Sequence, residues 1–188
     1  MSQRGGIENP TLNMAIDTGK PVEWFDEQVY DEVVPIGDEM GGQGAIGNPS
    51  AYLKIMRSLL MDDEKLLKSD TVKQMFTPQL DGAAKAACQG FHELDLWKGT
   101  FASHKLGTGC NWGLAGLIIE SDEETGRKKG SMNWSGLPNT WWSIDMETGL
   151  ALVYASNVLP YGDHASHRYQ QLFEKEMYDR FASSQSKH

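Results

Sequence analysis

Trp134-Ser135-Gly136-Leu137-Pro138-Asn139 lies between two apolar runs, and how this stretch is read decides the fold. Lys129 to Trp134 before it and Thr140 to Asp145 after it have strand composition, while the small residues and proline between them mark a turn. A link this short cannot cross over, so the two strands must pair antiparallel. A turn of small residues beside an indole can also hold backbone N–H groups out toward a carbonyl oxygen. Acyl-transfer chemistry needs such donors for its developing oxyanion.

Working outward, Trp112 to Glu120 reads as an earlier strand and Ser121 to Lys128 as a charged hairpin tip. The tip, Glu120 to Glu124 followed by Arg127-Lys128-Lys129, is expected to be a solvated hairpin. Leu150 to Asn157 reads as a further strand after a turn ending at Gly149. Trp112, Trp134, Trp141 and Trp142 fall in this sheet, where large aromatics chiefly build a core. Strand alternation sends Trp141 and Trp142 to opposite faces, and Trp134 has the better position for a pocket rim.

Helices are expected on either side of the sheet sequence. Asn48-Pro49 has the form of an N-cap with proline at the first helical position, and Tyr52, Ile55, Met56, Leu59 and Leu60 follow on one face. Ser69 reads as the cap of a second helix running through Phe76, which Pro78 ends. Ala165 to Ser183 reads as a terminal helix lying across the sheet, with Tyr169, Leu172, Phe173, Met177 and Phe181 on its apolar stripe and Glu174, Lys175, Glu176 and Arg180 mostly elsewhere. Residues 81–111 carry no clear pattern, and His92, Trp97 and His104 are placed in loops.

The segment 1–40 reads as peripheral: it holds Pro10, Pro21 and Pro35, with a short strand around Val29 to Val34. Gly41-Gly42-Gln43-Gly44 demands a tight turn, and Ser184 to His188 reads as a frayed tail.

Composition narrows the function classes. The chain has 188 residues, 39% of them hydrophobic and 23% charged, which suits one globular domain or part of one. Its net charge of -9, with 17 scattered basic residues, argues against nucleic acid as a partner. No apolar run approaches the roughly 18 residues of a membrane span, and the first residues lack the apolar core of a secretion signal, so a cytoplasmic chain is expected.

Cys88 and Cys110 show neither CxxC spacing nor neighbouring histidine, so the expectation is reduced thiols, no metal and no disulfide framework. His164 and His167 stand three apart at a helix start, but two ligands do not make a metal site. Both are read as a solvated helix terminus, with Asp163 as its cap.

The turn Gly41-Gly42-Gln43-Gly44, the segments Tyr52-Leu53-Lys54-Ile55 and Ser58-Leu59-Leu60, and later Gly113-Leu114-Ala115-Gly116, Lys129-Gly130-Ser131, the Trp134 to Asn139 stretch and Trp142-Ser143-Ile144-Asp145 together carry a resemblance. The chain resembles the C-terminal half of serine β-lactamase-related esterases and acyltransferases, nearest to fungal polyketide transesterases of the lovastatin acyltransferase kind. That resemblance implies an α/β fold of the α+β type: an antiparallel sheet flanked by helices, here an incomplete serine β-lactamase/transpeptidase-like fold. It implies a catalytic Ser-x-x-Lys pair, a Tyr-x-Asn element and a third motif on a sheet strand. Trp134-Ser135-Gly136 matches the third motif, with Leu137 presenting the backbone N–H of the oxyanion hole, and Trp134, Pro138 and Asn139 lining the substrate pocket.

The sequence departs from the family at the nucleophile. Ser-x-x-Lys occurs only as Ser184-Gln185-Ser186-Lys187, in a polar tail unsuited to holding a desolvated base. Tyr-x-Asn is absent, Ser131-Met132-Asn133 matches Ser-x-Asn by spelling alone, and there is no Gly-x-Ser-x-Gly elbow. Ser135 has no base in its motif and reads as a small pocket residue.

Two expectations follow. In one, the chain supplies the oxyanion-side wall of a serine acyltransferase or esterase acting on an acyl ester or thioester and an alcohol, without cofactor, and needs an N-terminal half or a dimer partner. In the other it is a non-catalytic truncated product, pseudoenzyme or interaction module.

Overall fold

Local chemistry sets the first helix. The computed structural model describes residues 2–4, 22–24, 47–93, 109–159 and 161–186. Within them, Asn48 caps helix α1 (Pro49–Met61), its Oδ1 accepting from Ala51 N at 2.8 Å, with proline in the first turn, where a missing N–H costs nothing. Met56 and Leu59 are buried as the spacing predicts, whereas Tyr52 and Ile55 are exposed. The buried face is therefore narrower than the sequence stripe. Helix α2 (Ser69–Met75) has Lys68 rather than Ser69 at its N-cap. Ser69 instead donates its hydroxyl to Asp62 Oδ2 at 2.6 Å, tying α2 to the left-handed end of α1.

Helix α3 (Gly82–Glu93) occupies sequence that shows no clear periodicity. His92 accordingly lies on a helix and not in a loop, while Trp97, His104, the strand expected at 29–34 and the 41–44 turn fall outside the described residues.

The principal sheet has the order β3 (Cys110–Trp112), β4 (Leu117–Ile119), β5 (Met132–Gly136), β6 (Thr140–Asp145) and β7 (Leu150–Tyr154). Every neighbouring pair is antiparallel, as the short links require. A second sheet joins the short strands β1 (Ser2–Arg4) and β2 (Val22–Trp24) to β8 (Val158–Leu159), in the order β2-β1-β8.

The strand expected over Trp112 to Glu120 is two strands. Gly113 N donates to Gly116 O at 2.8 Å, folding the chain back on itself. A Cβ at Gly113 would stand 2.2 Å from the carbonyl oxygen of Met75, so only glycine lets the end of α2 come this close.

The sheet is covered on both faces. Ile144, with Trp142, Ala151 and Val153, packs against Met56, Leu59 and Val72 of α1 and α2. Trp141 and Leu152 pack on the other side against helix α4 (His164–Gln185), through Tyr178, Phe173 and Met177. Trp141 and Trp142 thus face opposite ways, as alternation demands. The architecture is an antiparallel sheet with flanking helices.

Two readings of α4 are corrected. Its buried face is Ser166, His167, Gln170, Glu174 and Tyr178, while Tyr169 and Leu172 are 64% and 55% exposed. The physical reason lies in the β4–β5 hairpin tip, which is not a solvated loop. Arg127 is fully buried, pairs with Glu174 at 3.0 Å and lies 5.5 Å from the centre of the Trp141 ring. Tyr178 donates its hydroxyl to Asp145 Oδ2 at 2.8 Å. With these partners, polar groups meet the sheet beside Phe173 and Met177 of the apolar stripe, while Tyr169 and Leu172 turn outward. Ser184 and Gln185, read as frayed tail, continue the helix.

Candidate functional site

The Trp134 to Asn139 stretch forms the end of β5 and the tight hairpin turn into β6. Gly136 and Thr140 are the last paired residues, and Asn139 N donates to Gly136 O at 2.9 Å. Asn139 has φ 56, the left-handed conformation that closes a three-residue hairpin loop. Asparagine tolerates it better than most residues. A Cβ at Gly136 would approach Thr140 Oγ1 to 2.6 Å, so a side chain there would require the Thr140 hydroxyl to move. Leu137 stands at the apex and is 47% exposed, so the chain at this point faces outward.

The turn is anchored from one side. Asn139 is buried, its Nδ2 donating to Val158 O at 2.8 Å and its Oδ1 accepting from Gly162 N at 2.8 Å and Asp163 N at 3.2 Å. Its carboxamide is spent on backbone groups, and its role is to fix the turn. Asp163 in turn caps α4, accepting from Ser166 N at 2.7 Å, as the sequence predicts.

Ser135 and Tyr161 form a hydroxyl pair at 2.9 Å on the same side. Trp134 pairs across the ladder with Trp142, whereas Ser135 pairs with Trp141, so the two motif side chains leave β5 on opposite faces. Trp134 lies against Trp112, with ring centres 4.6 Å apart. The structure therefore brings Gly136, Leu137 and Pro138 together at one hairpin end, with Trp134 and Ser135 on its two flanks. Tyr161 escapes sequence reasoning because its contact spans 26 residues; the only local signal is an aromatic residue between Pro160 and Gly162.

Cys88 and Cys110 lie behind Trp134. Their sulfurs are 3.8 Å apart, and the pair packs with Leu117, Trp112 and Trp134. Both are free thiols, and burial pushes both above the usual thiol range.

His164 is exposed, but His167 is buried, which corrects its reading as part of a solvated terminus. Burial lowers its pKa to about 4, Asp163 opposes that shift and His164 adds to it. Among the described residues no group of three or more His, Cys, Asp or Glu could hold a metal ion. Ser131, just before β5, and Asn133, within it, are both buried, and Asn133 Nδ2 donates to Leu117 O at 3.3 Å.

This arrangement of sheet, turn and covering helix matches known structures. A mutant of simvastatin synthase from Aspergillus terreus superimposes with a TM-score of 0.81 at 28% identity, over 97% of this chain and 43% of that one. In sequence, ML-236A carboxylate methylbutanoyltransferase of Penicillium citrinum is 31% identical over 159 residues, 83% of this chain and 38% of its own length. This chain belongs to the family of fungal polyketide acyltransferases, and its fold is β-lactamase-like.

A lovastatin esterase of Penicillium rubens is 29% identical over 164 residues, 80% of this chain and 40% of that protein. The chain thus spans about two fifths of the length of the curated relatives it matches. No protein-family model matches it. Among the described residues no helix is long and apolar enough to cross a membrane.

Proposed function

We propose that this chain forms the oxyanion-side wall of a serine acyltransferase or esterase of the polyketide-acyltransferase family. An acyl group would pass through an acyl-serine to an alcohol or to water, with a small-molecule ester or thioester as donor. The observation that carries this reading is the outward-facing Leu137 apex at the end of β5, braced by Asn139 from behind. A rigidly held backbone N–H beside a substrate carbonyl stabilises the tetrahedral oxyanion without reorganising during the reaction. Trp134 supplies the apolar rim, and Ser135 ties the strand to Tyr161.

The nucleophile is assigned to a Ser-x-x-Lys segment other than Ser184-Gln185-Ser186-Lys187, supplied by residues outside this sequence. Ser135 is not proposed for that role, because its described hydroxyl partner is a phenol and a phenol is a poor base near neutral pH. The test uses the chain joined to a nucleophile-bearing segment from an in-frame upstream exon. Leu137→Pro removes the N–H together with the leucine side chain and the freedom of φ, so Leu137→Ala, which keeps the N–H, is its control; relative to that control the proline variant is expected to lower kcat on the order of 10² to 10³-fold, leaving acyl-serine formation detectable. An unchanged kcat would reassign the oxyanion donor. Stop codons throughout the upstream region would favour the non-catalytic reading instead.

A further inference from the structure

Behind the candidate wall, Cys88 of α3 and Cys110 of β3 meet with sulfurs 3.8 Å apart, a van der Waals contact between unbonded thiols. A disulfide has an S–S distance of about 2.05 Å, so closure needs a shift of under about 2 Å, within reach of a side-chain rotation. Cys110 is fully buried, whereas Cys88 is only partly covered and gives an external reagent its way in. The two residues are 22 apart in sequence, and α3 packs directly on β3. We propose that Cys88 and Cys110 are a redox modification site, closing a reversible disulfide that fastens α3 to β3 beneath the Trp112–Trp134 pair.

The chemistry is thiol–disulfide exchange with a low-molecular-weight disulfide such as oxidised glutathione. The Cys88 thiolate attacks one sulfur of glutathione disulfide, forming a mixed disulfide and releasing one glutathione thiolate. The Cys110 thiolate then attacks Sγ of Cys88, forms the Cys88–Cys110 bond and releases the second glutathione. Two protein thiols are oxidised, one glutathione disulfide is reduced, and the two thiol protons end on two glutathione molecules. Lys85 and Glu120 face the pair as an ion pair at 2.7 Å; Lys85 favours the Cys110 thiolate and Glu120 opposes it. Burial dominates for both sulfurs, so exchange is slow near neutrality and accelerates as pH rises.

The proposal stands independently of acyl transfer, and its test needs no enzymatic activity. The reduced chain is incubated with oxidised glutathione and followed by intact mass, non-reducing peptide mapping and thermal melting. The expected product is a monomer lighter by two hydrogens, with the Cys88 and Cys110 peptides joined and its Tm raised on the order of 5 °C; dithiothreitol reverses both changes. The rate should rise about tenfold per pH unit near neutrality, following the thiolate fraction. Cys110→Ser should stop at a glutathione adduct on Cys88. If the unmodified chain also stops at that adduct, or links only between chains, the proposal is overturned. A joined pair with unchanged Tm would overturn the fastening of α3 to β3.

Discussion

Arg127 and Glu174 form a fully buried ion pair at 3.0 Å, joining the β4–β5 hairpin tip to the middle of α4. Glu174→Ala would leave the Arg127 guanidinium buried without its carboxylate, at an expected cost of about 3–5 kcal/mol in chemical denaturation. Replacing both residues with apolar ones of similar volume should recover most of that loss. Equal destabilisation in the single and double variants would show that the pair does not join the two elements.

His167 gives α4 a pH dependence. Its pKa is about 4 in the fold, against 6.5 for an ordinary histidine, so the unfolded chain takes up a proton first as pH falls. The stability attached to this site is full above pH ~6.5 and is lost between there and pH ~4, by about 3 kcal/mol in all. Below that window both states are protonated and the loss levels off. His167→Gln should flatten this part of the urea midpoint against pH; an unchanged slope would refute the assignment.

Gly113 should not tolerate a side chain. A Cβ there meets the Met75 carbonyl oxygen at 2.2 Å, so Gly113→Ala must push α2 off the β3–β4 turn. The expected loss is about 1–3 kcal/mol, with a matching drop in Tm. Gly130, whose Cβ would meet nothing within 4 Å but whose φ is 85, is the control for backbone strain without a clash.

Tyr161→Phe and Ser135→Ala remove opposite ends of one hydrogen bond of 2.9 Å. Each should cost about 0.5–1.5 kcal/mol, and a double-mutant cycle should return a coupling of similar size. Additive losses would mean that the two hydroxyls do not hold the strand in place.

The legible parts of this fold are the ones whose causes are local. The Asn48-Pro49 helix start and the turn between β5 and β6 are set by neighbouring residues; the helix starts where the sequence puts it, and the turn falls within the predicted stretch, although β5 runs to Gly136 rather than ending at Trp134. The break at Gly113 is not legible locally because its close neighbour, Met75, is distant in sequence. Periodicity misplaces part of the face of α4 for a related reason. Periodicity ranks Tyr169 and Leu172 as core, but Arg127 and Asp145, both remote, draw Glu174 and Tyr178 inward. In the candidate site the motif is legible while its supports are not: Gly162 and Asp163, which claim the Asn139 side chain, are remote from it in sequence.

The most direct measurement of the central claim is intact-mass analysis of the purified chain after treatment with a fluorophosphonate and, separately, with a p-nitrophenyl ester. If this chain supplies the wall and not the nucleophile, no stoichiometric adduct forms on any serine, and ester turnover stays at the buffer rate. One adduct per chain, with turnover abolished by Ser135→Ala, would contradict the account.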